Sequence, residues 1–237
     1  MSDYQLDQQR PVSAGRTQLR VNAFLNKVYL WMAFGLLATA LTCHATVTSA
    51  SFMTWLSGNF GIFLCLCLAE LGLVWWLSSA IARNAIGTGT ARFMFLLYAG
   101  LSGVTLGPLV MFYTAESLTL AFACTAGTFG AMTIVGLVTK RDMSTWGRTL
   151  MMILIGLIIA MVVNMFVGSS TLDLAISLAG VLLFSILTAY DTQKLLRAGE
   201  SMDGNVADKA AVLGALELYL DFINLFIFLL RLLGRRN

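Results

Sequence analysis

The sequence predicts an all-α integral membrane protein, a bundle of seven transmembrane helices. Composition is the first observation behind this: of 237 residues, 58% are hydrophobic and only 11% are charged, against about a quarter charged in soluble domains. The mean hydropathy is +0.82. A soluble globule of this length would expose large apolar patches, so lipid is the solvent for most of the chain. The second observation is seven apolar stretches, each near the ~20 residues that a spanning helix needs. The third is the alternation of basic residues between the connections.

The seven stretches run over about 28–47, 60–80, 93–113, 118–138, 149–167, 174–191 and 213–233. Connections read as short, except a polar one over about 192–211. A polar tail, residues 1–22, precedes a single membrane domain, 23–237. The tail lacks an apolar core and a small-residue cleavage site, so no removable signal peptide is read.

Arg10, Arg16, Arg20 and Lys27 precede the first stretch. Arg83 and Arg92 fall in the second loop, Lys140, Arg141 and Arg148 in the fourth, and Lys194, Arg197 and Lys209 in the sixth. Loops one, three and five carry no Lys or Arg. This places the N-terminus and the even loops in the cytoplasm. Seven crossings then put the C-terminus outside, in conflict with Arg231, Arg235 and Arg236. Either the last segment re-enters, or the earlier loops outvote the tail. The length of 213–233 favours seven crossings.

Small residues let membrane helices approach closely. Gly103 and Gly107 have that spacing on the third helix, Ala126 and Gly130 on the fourth, and Gly156, Ala160, Asn164 and Gly168 on the fifth. Pro108 removes a hydrogen bond from the third helix and reads as a gate or as a tolerated kink.

The net charge of +3 does not point to a nucleic-acid partner. Cys43, Cys65, Cys67 and Cys124 lie in apolar runs without CxxC spacing, so neither a disulfide framework nor a zinc site is indicated. His44 is the single histidine, which excludes multi-histidine metal centres. No nucleophile elbow or phosphate loop appears, so an enzyme is not expected.

Ionisable groups inside a bilayer are costly and make the sharpest functional candidates. Asp221 lies well inside the last segment, and helical spacing puts Glu217, Asp221 and Asn224 on one face. Such a stripe faces the bundle interior or a water-filled cavity; the alternative is an acid that only fixes packing. Asp191 closes the sixth stretch, where it reads equally as an interfacial acid near Lys194. Glu70 sits mid-helix in the second. Two carboxylates in a low-dielectric site share protons and titrate together. They offer calcium hard oxygen ligands, though too few for tight binding; transient coordination along an ion path fits better. No tightly bound cofactor is expected.

Leu218-Tyr219-Leu220-Asp221-Phe222-Ile223-Asn224-Leu225-Phe226, followed by Leu229-Leu230-Arg231, resembles the C-terminal signature of the Bax inhibitor-1 (transmembrane Bax inhibitor motif) family. Ser102-Gly103-Val104-Thr105-Leu106-Gly107-Pro108, Thr139-Lys140-Arg141-Asp142-Met143-Ser144 and Ala189-Tyr190-Asp191-Thr192-Gln193-Lys194 resemble further motifs of that family. The likeness covers nearly the whole chain from about residue 20 and is closest to the family's bacterial inner-membrane branch. The resemblance implies a bundle with its seventh helix central and a pH-sensitive calcium leak. It marks Asp191 and Asp221 as the paired aspartates and Glu70 as the second-helix acid. Some relatives carry a basic latch where this chain has Ile81; Arg83 is the nearest base. Other relatives act on a membrane-bound protease or in cell-death control, which implies a regulatory role as the alternative.

Overall fold

The computed structural model describes residues 3–202 and 204–235, with side chains for 17–202, 204 and 206–235. Arg10, Arg16 and Arg236, used above for topology, have side chains outside these limits. Eight helices follow in order among the described residues: α1 (Asp3–Thr48), α2 (Ala50–Gly58), α3 (Phe60–Ala82), α4 (Thr88–Met111), α5 (Ala115–Val138), α6 (Trp146–Val167), α7 (Ser170–Ser201) and α8 (Gly204–Leu233). All but α2 are long and apolar enough to cross a membrane. The all-α integral membrane fold expected from sequence is the one observed. Helices dominate because lipid offers no partner for an unpaired backbone group.

Several boundaries differ from the sequence reading, and α1 already begins at Asp3, within the segment read as a polar tail. The short helix α2 stands between the first two spans; its nine residues are too few to register as a crossing. The polar connection read over 192–211 is helix almost throughout, because α7 continues to Ser201 and α8 begins at Gly204. Gly204 has φ +62°, a left-handed conformation that glycine adopts at little cost. Asp191 therefore lies ten residues inside α7 rather than at its end.

The central element is α8, which packs on α1, α3, α4, α5 and α7. Its thirty residues reach about 45 Å at 1.5 Å per residue, more than the ~30 Å hydrocarbon core. It is one unbroken helix, long and apolar enough to cross a membrane without turning back. The peripheral helices are α3 and α6. The former packs mainly on α4 and the latter on α7.

Charges cluster at the two ends of the bundle. At one end Lys27 meets Asp208 at 2.6 Å, Arg92 reaches the same carboxylate at 4.0 Å, and Arg197 meets Asp142 at 2.6 Å. At the other, Arg231 lies 3.8 Å from Asp173, and the Arg235 amide donates to Ser117 Oγ at 2.9 Å.

The third-helix glycines pack as expected. A Cβ on Gly103 would collide with Thr42 Oγ1 and the Thr39 carbonyl, and one on Gly107 would lie 2.8 Å from Thr46 Cγ2. These contacts form the α1–α4 interface. Gly130 and Gly156 face open space, so the spacing on α5 and α6 marks no close approach. Gly168 ends α6 at φ +66°, and Asn164 Oδ1 accepts from the Ser169 amide at 3.1 Å. Close approaches that spacing did not reveal include Gly180 against the Phe228 ring and Gly136 against the Ala189 carbonyl, each leaving 2.5 Å for a Cβ.

Candidate functional site: a carboxylate pair in a side-opening cavity

The two faces of α8 carry different chemistry. On one, Tyr219 is fully buried and its hydroxyl lies 2.6 Å from Thr39 Oγ1. Thr39 Oγ1 in turn lies 2.8 Å from the Ala99 carbonyl and 3.0 Å from the Gly35 carbonyl, both within reach as acceptors. Phe95 and Tyr98 meet the Tyr219 ring edge-on, each at 5.8 Å. This face fixes α8 to α1 and α4. Two residues on, about 200° around the helix, Asp221 points the other way.

Asp221 is 4% exposed and Asp191 9%. Their carboxyls face each other across the α7–α8 interface, close enough to interact directly. Two carboxyls can hydrogen-bond to each other only with a proton between them. Asp221 Oδ2 is shut off from solvent and finds no donor elsewhere among the described residues. One turn nearer the basic end, Lys194 Nζ donates to Glu217 Oε1 at 2.6 Å. The arrangement follows from the antiparallel pairing of α7 and α8. Residues 191 and 194 share a face of one helix, 217 and 221 share a face of the other, and the register sets acid on acid and base on acid.

These four residues and Asn224 floor a cavity of about 680 Å³ between α6, α7 and α8, with Leu71 of α3 at its rim. Asn224 Nδ2 donates to the Leu220 carbonyl at 2.8 Å. Sequence reasoning placed Asp191, Asp221, Glu217 and Asn224 among the site residues, and the structure brings them together. Lys194, read as a loop base, instead lies inside α7 at the cavity. The available signal was Glu217 itself, an acid on an apolar helix that calls for a basic partner.

Glu70 and Arg83 lie elsewhere. Thr105 Oγ1 donates to Glu70 Oε1 at 2.8 Å, tying α3 to α4. Arg83 caps α3 and is exposed; no ion pair joins it to either aspartate. Among the described residues no three His, Cys, Asp or Glu side chains converge as a metal-binding group. The aspartates supply a pair of oxygen donor groups and no more.

The connection from α5 to α6 is clamped to α7 beside the site. Gln193 Oε1 accepts from the Met143 amide at 2.9 Å, and Gln193 Nε2 donates to the Arg141 carbonyl at 2.9 Å. Arg197 donates to both Asp142 Oδ1 and Gln193 Oε1, at 2.6 and 2.8 Å. The Ser144 amide and Arg197 hold the Asp142 carboxyl down to about 2.

Seven helices long and apolar enough to cross a membrane, with buried acids at a cavity between α6, α7 and α8, define a multi-pass helical membrane protein. The chain belongs to the Bax inhibitor family: the family described as "Inhibitor of apoptosis-promoting Bax1" matches residues 21–237. It is 43% identical over 220 residues to the inner membrane protein YbhL of Escherichia coli K12, covering 92% of this chain and 93% of that one. An uncharacterized protein of Deinococcus radiodurans is 41% identical, covering 97% and 98% of the two chains. An uncharacterized membrane protein of Streptococcus pyogenes serotype M1 is 36% identical, covering 94% and 96%.

Proposed function

We propose that this protein is a pH-sensitive leak for calcium across the inner membrane, controlled by protonation of the Asp191–Asp221 pair. The observation that carries the reading is the contact of two buried carboxyls on the floor of a cavity. An ionised pair attracts a cation into a region that otherwise repels it. A shared proton reduces that attraction and holds α7 to α8. Passage is favoured over tight retention because the pair falls well short of the six to eight oxygens calcium prefers.

The basic end of the bundle, holding Lys27, Arg92 and Arg197, is assigned to the cytoplasm by the bias of such residues. The C-terminus is then outside. The second reading is a regulatory protein that binds a membrane protease or another membrane partner. It draws on the continuation of α1 back to Asp3, a helical extension outside the apolar core. Deleting the first 20 residues separates the two, since it abolishes regulation and spares flux.

The test is calcium entry into indicator-loaded liposomes carrying the purified protein, across pH. Wild type gives pH-dependent entry. If Asp221→Asn leaves both the flux and its pH profile as in wild type, the mechanism is wrong.

A further inference from the structure

The cavity opens sideways. Its rim residues Leu71, Met151 and Ile158 are 69%, 57% and 47% exposed, yet each lies within an apolar spanning helix. The gap between α3 and α6 opens along the flank of two helices apolar enough to span a membrane, while Gly147, Lys194 and Glu217 mark the end of the cavity nearer the basic surface. The walls behind the rim are apolar, with Leu154 and Met161 from α6 and Phe184 from α7.

The floor is anionic. Lys194 is engaged by Glu217 at 2.6 Å, and no described Lys or Arg forms an ion pair with Asp191 or Asp221. The Oδ2 atom of Asp221, on a side chain only 4% exposed, finds no donor. An acid without a dedicated cation therefore lies at the end of an apolar slot open to lipid. At about 680 Å³ the slot falls within the roughly 300–1,000 Å³ of small-molecule sites.

From this combination we infer that the cavity is a binding site for a single-chain alkylammonium amphiphile that enters from the bilayer between α3 and α6. The ammonium brings three donors and one positive charge to the acidic floor, where Asp191, Glu217 and Asp221 line the cavity. The alkyl chain lies along Leu71, Met151 and Ile158 and stays in contact with lipid. Neither half of such a ligand meets a mismatched surface. A neutral alcohol of the same length keeps the apolar contacts and lacks the charge contact.

The experiment uses the full chain in liposomes, with a photoreactive tetradecylamine and a photoreactive tetradecanol as probes. Labelled residues are mapped by peptide mass spectrometry. The amine should label the α6 segment around Met151 and Ile158 about tenfold more than the alcohol does, the ratio a modest charge contact supplies. On the outward face of α5 the two probes should label equally. Asp191→Asn with Asp221→Asn should reduce α6 labelling by the amine to the alcohol level, and Met151→Trp should do so by filling the mouth. Equal labelling by both probes, or amine labelling that survives the paired Asn substitutions, means partition into lipid only and overturns the inference. Circular dichroism of each variant confirms that it is folded. The readout requires no ion flux, so this inference and the leak reading fail independently.

Discussion

Lys194 of α7 closes onto Glu217 of α8 at 2.6 Å, one helical turn from where Asp191 meets Asp221. The ammonium is the positive group nearest the aspartates, and Glu217 holds it aside. Cutting this pair from its two ends should therefore have opposite effects on cation entry. Lys194→Met leaves an extra negative charge in the cavity and raises calcium flux several-fold; Glu217→Gln frees the ammonium toward the aspartates and lowers it. A salt bridge that served only to hold helices together would shift both variants in one direction. The liposome assay reads the sign directly.

Arg83 provides the contrasting case. It is exposed at the end of α3 and forms no ion pair with the aspartates. Arg83→Gln should leave the pH profile of flux unchanged. A displaced midpoint would show that Arg83 reaches the site in another conformation.

Stability should concentrate where α8 and α4 meet α1. Gly103→Val forces a side chain into Thr42 and the Thr39 carbonyl and should cost about 1–3 kcal/mol, as overpacking does. Gly130→Ala, facing open space, should stay within about 0.5 kcal/mol. Thermal unfolding in a single detergent ranks the two against wild type.

Tyr219→Phe removes the hydroxyl beside Thr39, on the face of α8 away from the aspartates. It should destabilise by about 0.5–1.5 kcal/mol, the net worth of one buried hydrogen bond, because Thr39 keeps the Ala99 and Gly35 carbonyls as acceptors. Flux per folded molecule should keep its pH dependence. An altered profile would mean the two faces of α8 are coupled.

The clamp at Asp142 supplies a pH control. Its carboxyl is held down to about 2 by the Ser144 amide and Arg197. A carboxylate stabilised in the folded state contributes fully above its unfolded pKa and loses that contribution as pH falls through the folded value. The Asp142–Arg197 pair therefore stays intact from neutral to mildly acidic pH, where the leak is expected to respond. Asp142→Asn should loosen the α5–α6 connection, measured as faster amide exchange near Met143, without displacing the pH midpoint of flux.

Much of this arrangement is written in local sequence. The seven spans are legible because lipid demands long apolar runs, and Asp221 is legible because an acid mid-helix is so costly. The true end of α7 is not, because residues 192–201 and 204–212 are polar, and hydropathy stops at the membrane surface while the helix does not. Asp191 consequently reads as an interfacial acid until α7 is seen to continue past it. The Lys194–Glu217 pair depends on the register between two antiparallel helices, which neither helix encodes alone. Likewise the glycine spacing marks a true contact on α4 but not on α5 or α6, since spacing shows a face and not what covers it.

The most direct test of the central claim is a double-mutant cycle on the pH profile of calcium flux, using Asp191→Asn, Asp221→Asn and the two together. Groups that titrate as one pair are strongly non-additive. Each single substitution should remove the pH dependence as completely as the double one. Independent, additive shifts of the pH midpoint from the two positions would contradict a shared-proton switch.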